Sequence, residues 1–264
     1  MLELKNITKV FNAGTINEKV ALNNLSLTLN EGDFVTVIGG NGAGKSTMLN
    51  AVAGTYPVDA GSILIGGQDV TRLSEHRRAK FIGRVFQDPM IGTAADMCID
   101  ENMSLAMLRG KRRGLSWAIS NKDRELYREM LSQLDLGLEN RLTTKVGLLS
   151  GGQRQAITLL MASMNHPQIL LLDEHTAALD PKTAAKVLAL SDKIISEEGL
   201  TAMMVTHNMK DAIAHGNRLI MMNEGKIIFD VSGEEKKKLT VEDLMDAFAK
   251  LGGTEFANDR ALLG

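Results

Sequence analysis

One stretch of this sequence, VTVIGGNGAGKST at residues 35–47, constrains the fold more than any other. A short apolar and β-branched run, typical of a buried strand, leads into a glycine-rich loop, and a helical pattern follows. The loop fits the phosphate-binding pattern G-x-x-x-x-G-K-[ST], in which Gly39 and Gly44 are followed by Lys45 and Ser46. An ordinary glycine-rich turn is the alternative, but such a turn rarely also lies between a buried strand and a helix.

The residue types in this loop suit an anion. Glycines adopt backbone angles that side chains would forbid, so successive N–H groups can turn inward around a phosphate. The N-terminus of the following helix adds unsatisfied N–H groups and a positive dipole end. Lys45 is expected to reach the β- and γ-phosphates of a nucleotide, and the Ser46 hydroxyl to bind Mg²⁺. The residues predicted to bind nucleotide here are Gly39, Asn41, Gly42, Ala43, Gly44, Lys45, Ser46 and Thr47.

Composition narrows the class of protein without deciding its function. The chain has 264 residues and a net charge of −2, which allows one large domain or two small ones and gives no overall reason to expect nucleic acid as a partner. Cys98 is the single cysteine, which excludes an internal disulfide and fits a reducing cytosol. No stretch approaches the ~20 apolar residues that cross a bilayer, so a role at a membrane would require separate polypeptides.

Apolar runs and turn signals outline a mixed α/β architecture. Strands are predicted at residues 2–11, 20–29, 35–38, 81–87, 168–173, 201–206 and 218–222. Hairpins are predicted between the first two strands, at 58–70 and at 223–226, where glycine and other turn residues cluster. Helices at 181–198 and 208–215 separate the later strands, and this alternation favours a parallel sheet covered on both faces.

The middle of the chain has a different character. Strand signals disappear from about residue 96 to 165, and apolar residues recur at helical spacing in Leu126, Met130, Leu131 and Leu134. This pattern predicts a helical subdomain inserted into the α/β core.

The run ILLLDE ends in two adjacent carboxylates, Asp173 and Glu174, after a fully apolar strand. In an open parallel sheet, the carboxyl edge of the strands is where ligands bind. Asp173 is then placed to hold Mg²⁺ through water, and Glu174 to orient and deprotonate an attacking water. Two carboxylates that merely open a turn are the alternative, and the phosphate loop in the same chain favours the catalytic role.

The pentapeptide LSGGQ, residues 149–153, precedes a helical run. Ser150 can cap that helix, while Gly151 and Gly152 leave its N-terminal amides open. From these residues alone, a second anion-binding helix end and an ordinary capped helix after a glycine turn are equally good interpretations.

GGNGAGKST, LSGGQ and ILLLDE occur in the order characteristic of one family, with a helical stretch before the second motif. On these motifs the chain resembles the nucleotide-binding subunits of ATP-binding cassette (ABC) transporters over nearly its whole length. The resemblance implies an α/β fold: a P-loop NTPase core with a mainly parallel sheet, an N-terminal antiparallel β subdomain and an inserted α-helical subdomain. Residues 1–240 are expected to form a single ATP-binding domain with its helical insert at about 90–165, and 241–264 a C-terminal helix and tail.

The resemblance also implies roles for single residues. Gln87 matches the glutamine that contacts Mg²⁺ and the lytic water, and His207 matches the switch histidine that contacts the γ-phosphate. Asp180 matches a loop that communicates between subunits, and Phe11 is the candidate aromatic that stacks on adenine. Each has an ordinary alternative: a strand-end polar group, a surface histidine, a helix cap or a core aromatic.

These assignments define a complete expected site. The implied catalytic residues are Glu174, His207, Gln87 and Lys45, and the implied Mg²⁺ ligands are Ser46, Gln87 and Asp173. The signature residues implied to contact ATP held by another copy are Ser150, Gly151, Gly152 and Gln153, and Phe11 and Asp180 complete the implied ATP-binding set.

The function implied by the resemblance is ATP hydrolysis that powers transport. Two copies would stack head to tail with ATP between the phosphate loop of one and LSGGQ of the other, at the cytoplasmic face of the membrane. A separate transmembrane permease would carry the solute, and an extracytoplasmic solute-binding protein would deliver it. Import is the expected direction, and the wording EHTAALDP resembles a subgroup of uptake ATPases for which amino acids fit as cargo.

Three other functions are alternatives to import. An exporter subunit shares the same motifs. A non-transport ABC ATPase of translation or DNA repair is disfavoured, because each motif occurs once and no sustained heptad repeat is present. A scaffold that binds nucleotide without hydrolysis is disfavoured by the intact residues Lys45, Asp173, Glu174 and His207.

Some residues depart from the family pattern or carry no assigned role. His175 stands where the family commonly has proline or another small residue, and its imidazole either alters the pH response of the site or is neutral. The basic residues Arg109, Lys111, Arg112 and Arg113 could favour anionic lipid or RNA, but a solvated loop is favoured. Cys98 and Trp117 are interpreted as structural.

Overall fold

The computed structural model describes residues 1–111 and 119–251. Two residues of the basic cluster, Arg112 and Arg113, together with Trp117 and the predicted polar tail, lie outside the described residues. The chain divides into two compact units, one made of Met1–Arg78 with Leu200 onward and the other of Ala79–Gly199.

The helices and strands follow the predicted order. The strands are β1 (Leu2–Phe11), β2 (Lys19–Leu29), β3 (Phe34–Ile38), β4 (Ala60–Ile65), β5 (Gln68–Asp69), β6 (Ile82–Val85), β7 (Ile169–Asp173), β8 (Ala202–Val205), β9 (Arg218–Asn223) and β10 (Lys226–Ser232). The helices are α1 (Lys45–Ala53), α2 (Glu75–Arg78), α3 (Ile99–Met107), α4 (Asn121–Ser132), α5 (Gly151–Ser163), α6 (Pro181–Glu197), α7 (Met209–Ala214), α8 (Gly233–Lys237) and α9 (Val241–Leu251).

The first unit contains an antiparallel sheet in the order β2-β1-β4-β5. Leu2 pairs with Leu29 and Leu4 with Leu27, and all four side chains are buried because alternate residues of a strand share one face. β4 and β5 meet at the Gly66-Gly67 turn. The predicted N-terminal hairpins are therefore confirmed.

The same unit contains a mainly parallel set of strands in the order β10-β9-β3-β8. β3 pairs in parallel with both β8 and β9, and all of its residues are buried, as expected for a strand covered on two faces. The buried Thr36 is accommodated because its hydroxyl donates to the Ala212 carbonyl at 2.8 Å. β10 returns antiparallel to β9 through Glu224 and Gly225, both at positive φ, which is the turn type that joins tight hairpins.

The second unit combines a parallel strand pair, β6 and β7, with the helices α3, α4, α5 and α6. Its apolar core consists of Ile99, Met103, Tyr127, Leu131, Leu134, Leu138, Leu142, Val146, Leu149, Ala156, Ile157, Leu160, Met161 and Met164. Leu131 and Leu134 therefore face the core as their spacing predicts, but Leu126 is 41% exposed. The prediction of one domain over 1–240 with an insert at about 90–165 stays a prediction.

The predicted α/β fold, with an N-terminal antiparallel sheet and a mostly parallel one, is confirmed. Within residues 1–111 and 119–251, none of the helices is both long enough and apolar enough to cross a membrane.

Candidate active site

The phosphate loop joins β3 to α1 in the first unit. Its bends require glycine, because Gly39, Gly42 and Gly44 have φ angles of 154°, 78° and 101°. A Cβ on Gly39 would lie 2.4 Å from the Met222 carbonyl oxygen, and one on Gly44 would lie 2.5 Å from the Ala21 carbonyl oxygen. The loop is thus held by close backbone contacts that exclude any side chain at these two positions.

Lys45 is the first residue of α1 and is only 5% exposed. Its Nζ donates to the carbonyl oxygens of Gly39 and Gly40 at 2.6 and 3.1 Å, so the ammonium group is held at the start of its own loop. Ser46, next in the first turn of α1, is exposed. The loop is also braced by the β9–β10 turn, whose Gly225 N–H donates to the Ala43 carbonyl at 3.0 Å.

A second cation lies at this loop. The Lys19 Nζ is 3.1 Å from the position that a Cβ on Gly42 would occupy. Sequence reasoning missed Lys19. The available signal was a lysine at the first position of β2, the strand that precedes the loop-bearing β3.

The candidate adenine-stacking residue, Phe11, ends β1 and is half-buried. Its ring meets Tyr56 edge-to-face, with centroids 5.3 Å apart and planes at 83°. Asp59 fixes this end of the strand by accepting from the Val10 N–H at 2.6 Å and the Lys9 Nζ at 3.0 Å. The bond from Val10, supported by Lys9, lowers the pKa of Asp59 below its ordinary value.

His207 follows β8, which pairs with β3 in parallel. Val37 and Val205 are register partners in these parallel strands. Gly39 follows Val37 by two residues and His207 follows Val205 by two residues, so both come just after the same end of the sheet. The structure therefore brings the switch-histidine candidate and the phosphate loop to one sheet edge. Asn208 then caps α7 by accepting from the N–H groups of Lys210 and Asp211.

In the second unit, β7 ends at Asp173, and Glu174 follows with a φ of 45°. The left-handed region costs a residue with a side chain about 1–2 kcal/mol, and such strain is typical of functional positions. An Nη atom of Arg84 lies 3.5 Å from an Asp173 carboxylate oxygen, and its guanidinium stacks 4.5 Å from the centre of the Phe86 ring. Sequence reasoning missed Arg84, which carries no motif.

Gln87 and Asp173 line the same cleft, which has a volume of about 400 Å³ and is completed by Phe86, Asp88, Ile91 and Ala178. A hydrogen bond from α5 fixes the backbone just before Gln87. The side-chain amide of Gln155 donates to the Phe86 carbonyl at 3.1 Å. The two residues predicted from separate motifs to act at the metal are thus neighbours.

LSGGQ forms the start of α5. Ser150 and Gln153 each bond the other's backbone N–H through their side chains, at 3.3 and 3.2 Å, so the predicted helix cap is confirmed as a reciprocal capping box. The buried Arg154 supports the preceding turn by donating to the carbonyl groups of Val146, Gly147 and Leu149.

The signature helix packs against the start of α6. A Cβ on Gly152 would lie 2.1 Å from a Thr183 methyl carbon, which explains the need for glycine there. Asp180 caps α6 by accepting from the Thr183 N–H at 3.1 Å. The hydrogen bond from the Thr183 hydroxyl lowers the pKa of Asp180 most, and the hydrogen bond from the Thr183 N–H lowers it further.

The ABC transporter family profile matches residues 22–177, which is more than half of the chain. The chain belongs to the ABC transporter family. It is 44% identical to the tyrosine transport ATP-binding protein of Clostridioides difficile (strain R20291), over 94% of this chain and 98% of that protein. It is 34% identical over 89% of its length to the spermidine/putrescine import ATP-binding protein PotA of Haemophilus ducreyi, of which it covers 59%.

Solved ABC cassettes share the fold. The dimeric, post-hydrolysis structure of the ATP-binding cassette MJ0796 bound to ADP and Pi superposes with a TM-score of 0.75 at 32% identity. The match covers 88% of this chain and 98% of that one. Family membership confirms the predicted ATP binding and ATPase activity.

The oxygen donors of this ABC ATPase suit Mg²⁺. Ser46 offers an exposed hydroxyl beside the phosphate loop, while Asp173 and Gln87 offer carboxylate and amide oxygens in one cleft. Mg²⁺ prefers oxygen ligands and is commonly bound by one or two carboxylates together with substrate phosphates. The donor chemistry therefore fits this ion.

Proposed function

We propose that this chain is the ATP-hydrolysing subunit of an uptake system for an amino acid of the tyrosine type. The observation that carries the proposal is 44% identity, over 94% of this chain, to a tyrosine transport ATP-binding protein. The spermidine/putrescine import relative supports import more generally.

Two copies would act together. In each copy the phosphate loop and Lys45 would hold the phosphates of ATP, and Phe11 would stack on adenine. The capped helix end at Ser150 would approach the γ-phosphate bound by the second copy, since a helix N-terminus stabilises negative charge. The dimeric cassette among the structural relatives supports this arrangement.

Hydrolysis would depend on the groups at the carboxyl ends of β7 and β8. Glu174 would accept a proton from the attacking water, and His207 would donate a hydrogen bond to the γ-phosphate. Ser46, Gln87 and Asp173 would hold Mg²⁺, which when bound neutralises phosphate charge. Loss of the γ-phosphate would remove the charge shared between the copies and allow them to part.

Transport requires a separate transmembrane permease, which would hold this chain at the membrane, and we propose a solute-binding protein as the third component. Met90 and Ile91, beside Gln87, are 47% and 63% exposed. Exposed apolar side chains next to a site of nucleotide hydrolysis suit a partner surface, and the segment 88–97 would pass motion between them.

The test is co-purification followed by reconstitution. A tagged chain should bring down a membrane permease, and the complex in liposomes should accumulate tyrosine when ATP is supplied on the side of this subunit. Spermidine should not be accumulated, and a complex with Lys45→Ala should accumulate neither. Recovery with ribosomes or nucleic acid instead of a membrane protein, or outward movement of the solute, would refute the proposal.

A further inference from the structure

His175, the residue that departs from the family pattern, lies directly after Glu174. Its side chain is 1% exposed, and its Nε2 atom lies 2.9 Å from the hydroxyl oxygen of Ser191, in the middle of α6. Ser191 is also 1% exposed. A buried polar contact therefore joins the segment that carries Glu174 to the helix that follows it.

Ser191 is itself held within α6. The Ser191 hydroxyl donates to the Val187 carbonyl at 2.9 Å, and a carbonyl oxygen can only accept. With that proton on the Val187 carbonyl, the Ser191 oxygen is free to accept from the imidazole N–H in the tautomer of His175 that is protonated at Nε2. The contacts of Ser191 with His175 and with the Val187 carbonyl thus form one buried polar group that ties the segment after β7 to α6.

The segment between β7 and α6 is short, and it is fixed at both ends. Leu172 pairs with Val85 in the sheet, and Asp180 caps α6. Between them the Ala177 N–H donates to the Glu174 carbonyl at 2.9 Å, which closes a turn with Glu174 in the left-handed region. A strained conformation of this kind persists only where the surrounding structure imposes it.

We propose that His175 is a positioning residue for hydrolysis. Its bond to Ser191 anchors the turn, keeps Glu174 in its left-handed conformation and so fixes the direction of the carboxylate toward the attacking water. The proposal rests on the proposed role of Glu174 as the base. Because the phosphate loop belongs to other segments, His175 acts on the hydrolytic step and not on ATP binding.

The experiment compares steady-state ATPase kinetics of His175→Ala, His175→Gln and Ser191→Ala with the unmodified chain. His175→Ala and Ser191→Ala should each lower kcat by about 10–100-fold, since a displacement of about 1 Å at a reacting group can cost about 100-fold. The KM for ATP should stay within about twofold, because ATP binding is retained. Glutamine can place an N–H near the position of Nε2, so His175→Gln should recover most of kcat.

Ser163→Ala is the matched control. Ser163 is also fully buried and donates to a carbonyl of its own helix, that of Leu160 at 3.0 Å, on α5. It should lower the Tm about as much as Ser191→Ala while leaving kcat unchanged. The double variant His175→Ala/Ser191→Ala should be no slower than the slower single variant, because both remove one contact.

A normal kcat in Ser191→Ala, with a Tm loss equal to that of Ser163→Ala, would show that the contact only stabilises the fold and would overturn the inference. Failure of His175→Gln to recover kcat above His175→Ala would also overturn it. Glu174→Gln keeps the two ideas distinguishable: normal hydrolysis in that variant would refute the base itself, whereas an inactive Glu174→Gln beside a normal Ser191→Ala would refute only the positioning role.

Discussion

Replacement of Arg78 by methionine should destabilise the first unit. The Arg78 side chain is 1% exposed, yet its partners are backbone carbonyl groups. It donates to Ala51 at 2.7 Å and Val52 at 2.8 Å, at the end of α1, and to Thr71 and Leu73 at 2.9 Å. A cation at a helix C-terminus is favourable because it complements the dipole.

The size of the effect follows from opposing contributions. A hydrogen bond from a charged group contributes about 1.5–3 kcal/mol, so four would sum to roughly 6–12 kcal/mol if they were independent. Burial of a guanidinium costs several kcal/mol, and the same burial lowers the pKa of Arg78 below its ordinary value. The net loss of unfolding free energy in Arg78→Met should be about 3–5 kcal/mol, which corresponds to a Tm lower by roughly 6–20 °C for a chain of this size.

Thermal unfolding followed by circular dichroism measures this loss. Arg77→Met, an exposed position in the same short helix, is the matched control and should change the Tm by less than about 2 °C. Arg78→Lys should fall between the two, because an ammonium group cannot reproduce the planar donor fork. A Tm of Arg78→Met within about 2 °C of the unmodified chain would refute the reasoning.

Two further outcomes test the phosphate loop and the strand end at Phe11. Gly44→Ala should abolish detectable ATP binding in a fluorescent-nucleotide titration, because its φ is 101° and a Cβ would meet the Ala21 carbonyl oxygen at 2.5 Å; ATP affinity within about threefold of the unmodified chain would contradict this. The folded-state pKa of Asp59 is lowered from 3.8, so the stability it contributes is present above the unfolded-state pKa and is lost as the pH falls through the folded one. Asp59→Asn should therefore lower the urea midpoint at pH 7, and the difference should shrink below pH 3.8; an equal difference at pH 7 and pH 3 would contradict the role of the carboxylate.

Features encoded by neighbouring residues were predictable from the sequence. The phosphate loop, the cap at Ser150 and the hairpin turn at Glu224 and Gly225 depend on a few consecutive side chains and backbone angles. The apolar strands were equally clear. β3 and β7 are buried over almost their whole length, so each is recognised from its apolar run and not from an alternation of apolar and polar residues.

Features that depend on tertiary contacts were not predictable. Lys19 reaches the phosphate loop, and Arg84 reaches Asp173, across chain separations that no local pattern reports. The sequence marked His175 as unusual but could not reveal its partner sixteen residues away on α6. Leu126 has the right spacing for the apolar face of α4 and is nevertheless exposed.

The central claim is that this ABC ATPase works as an ATP-bridged pair with Glu174 as its base, and Glu174→Gln tests it most directly. The purified variant should elute as a dimer when ATP and Mg²⁺ are present and as a monomer without ATP, while phosphate release falls by at least about 100-fold. Hydrolysis at the normal rate, or a variant that remains monomeric with saturating ATP, would contradict the account.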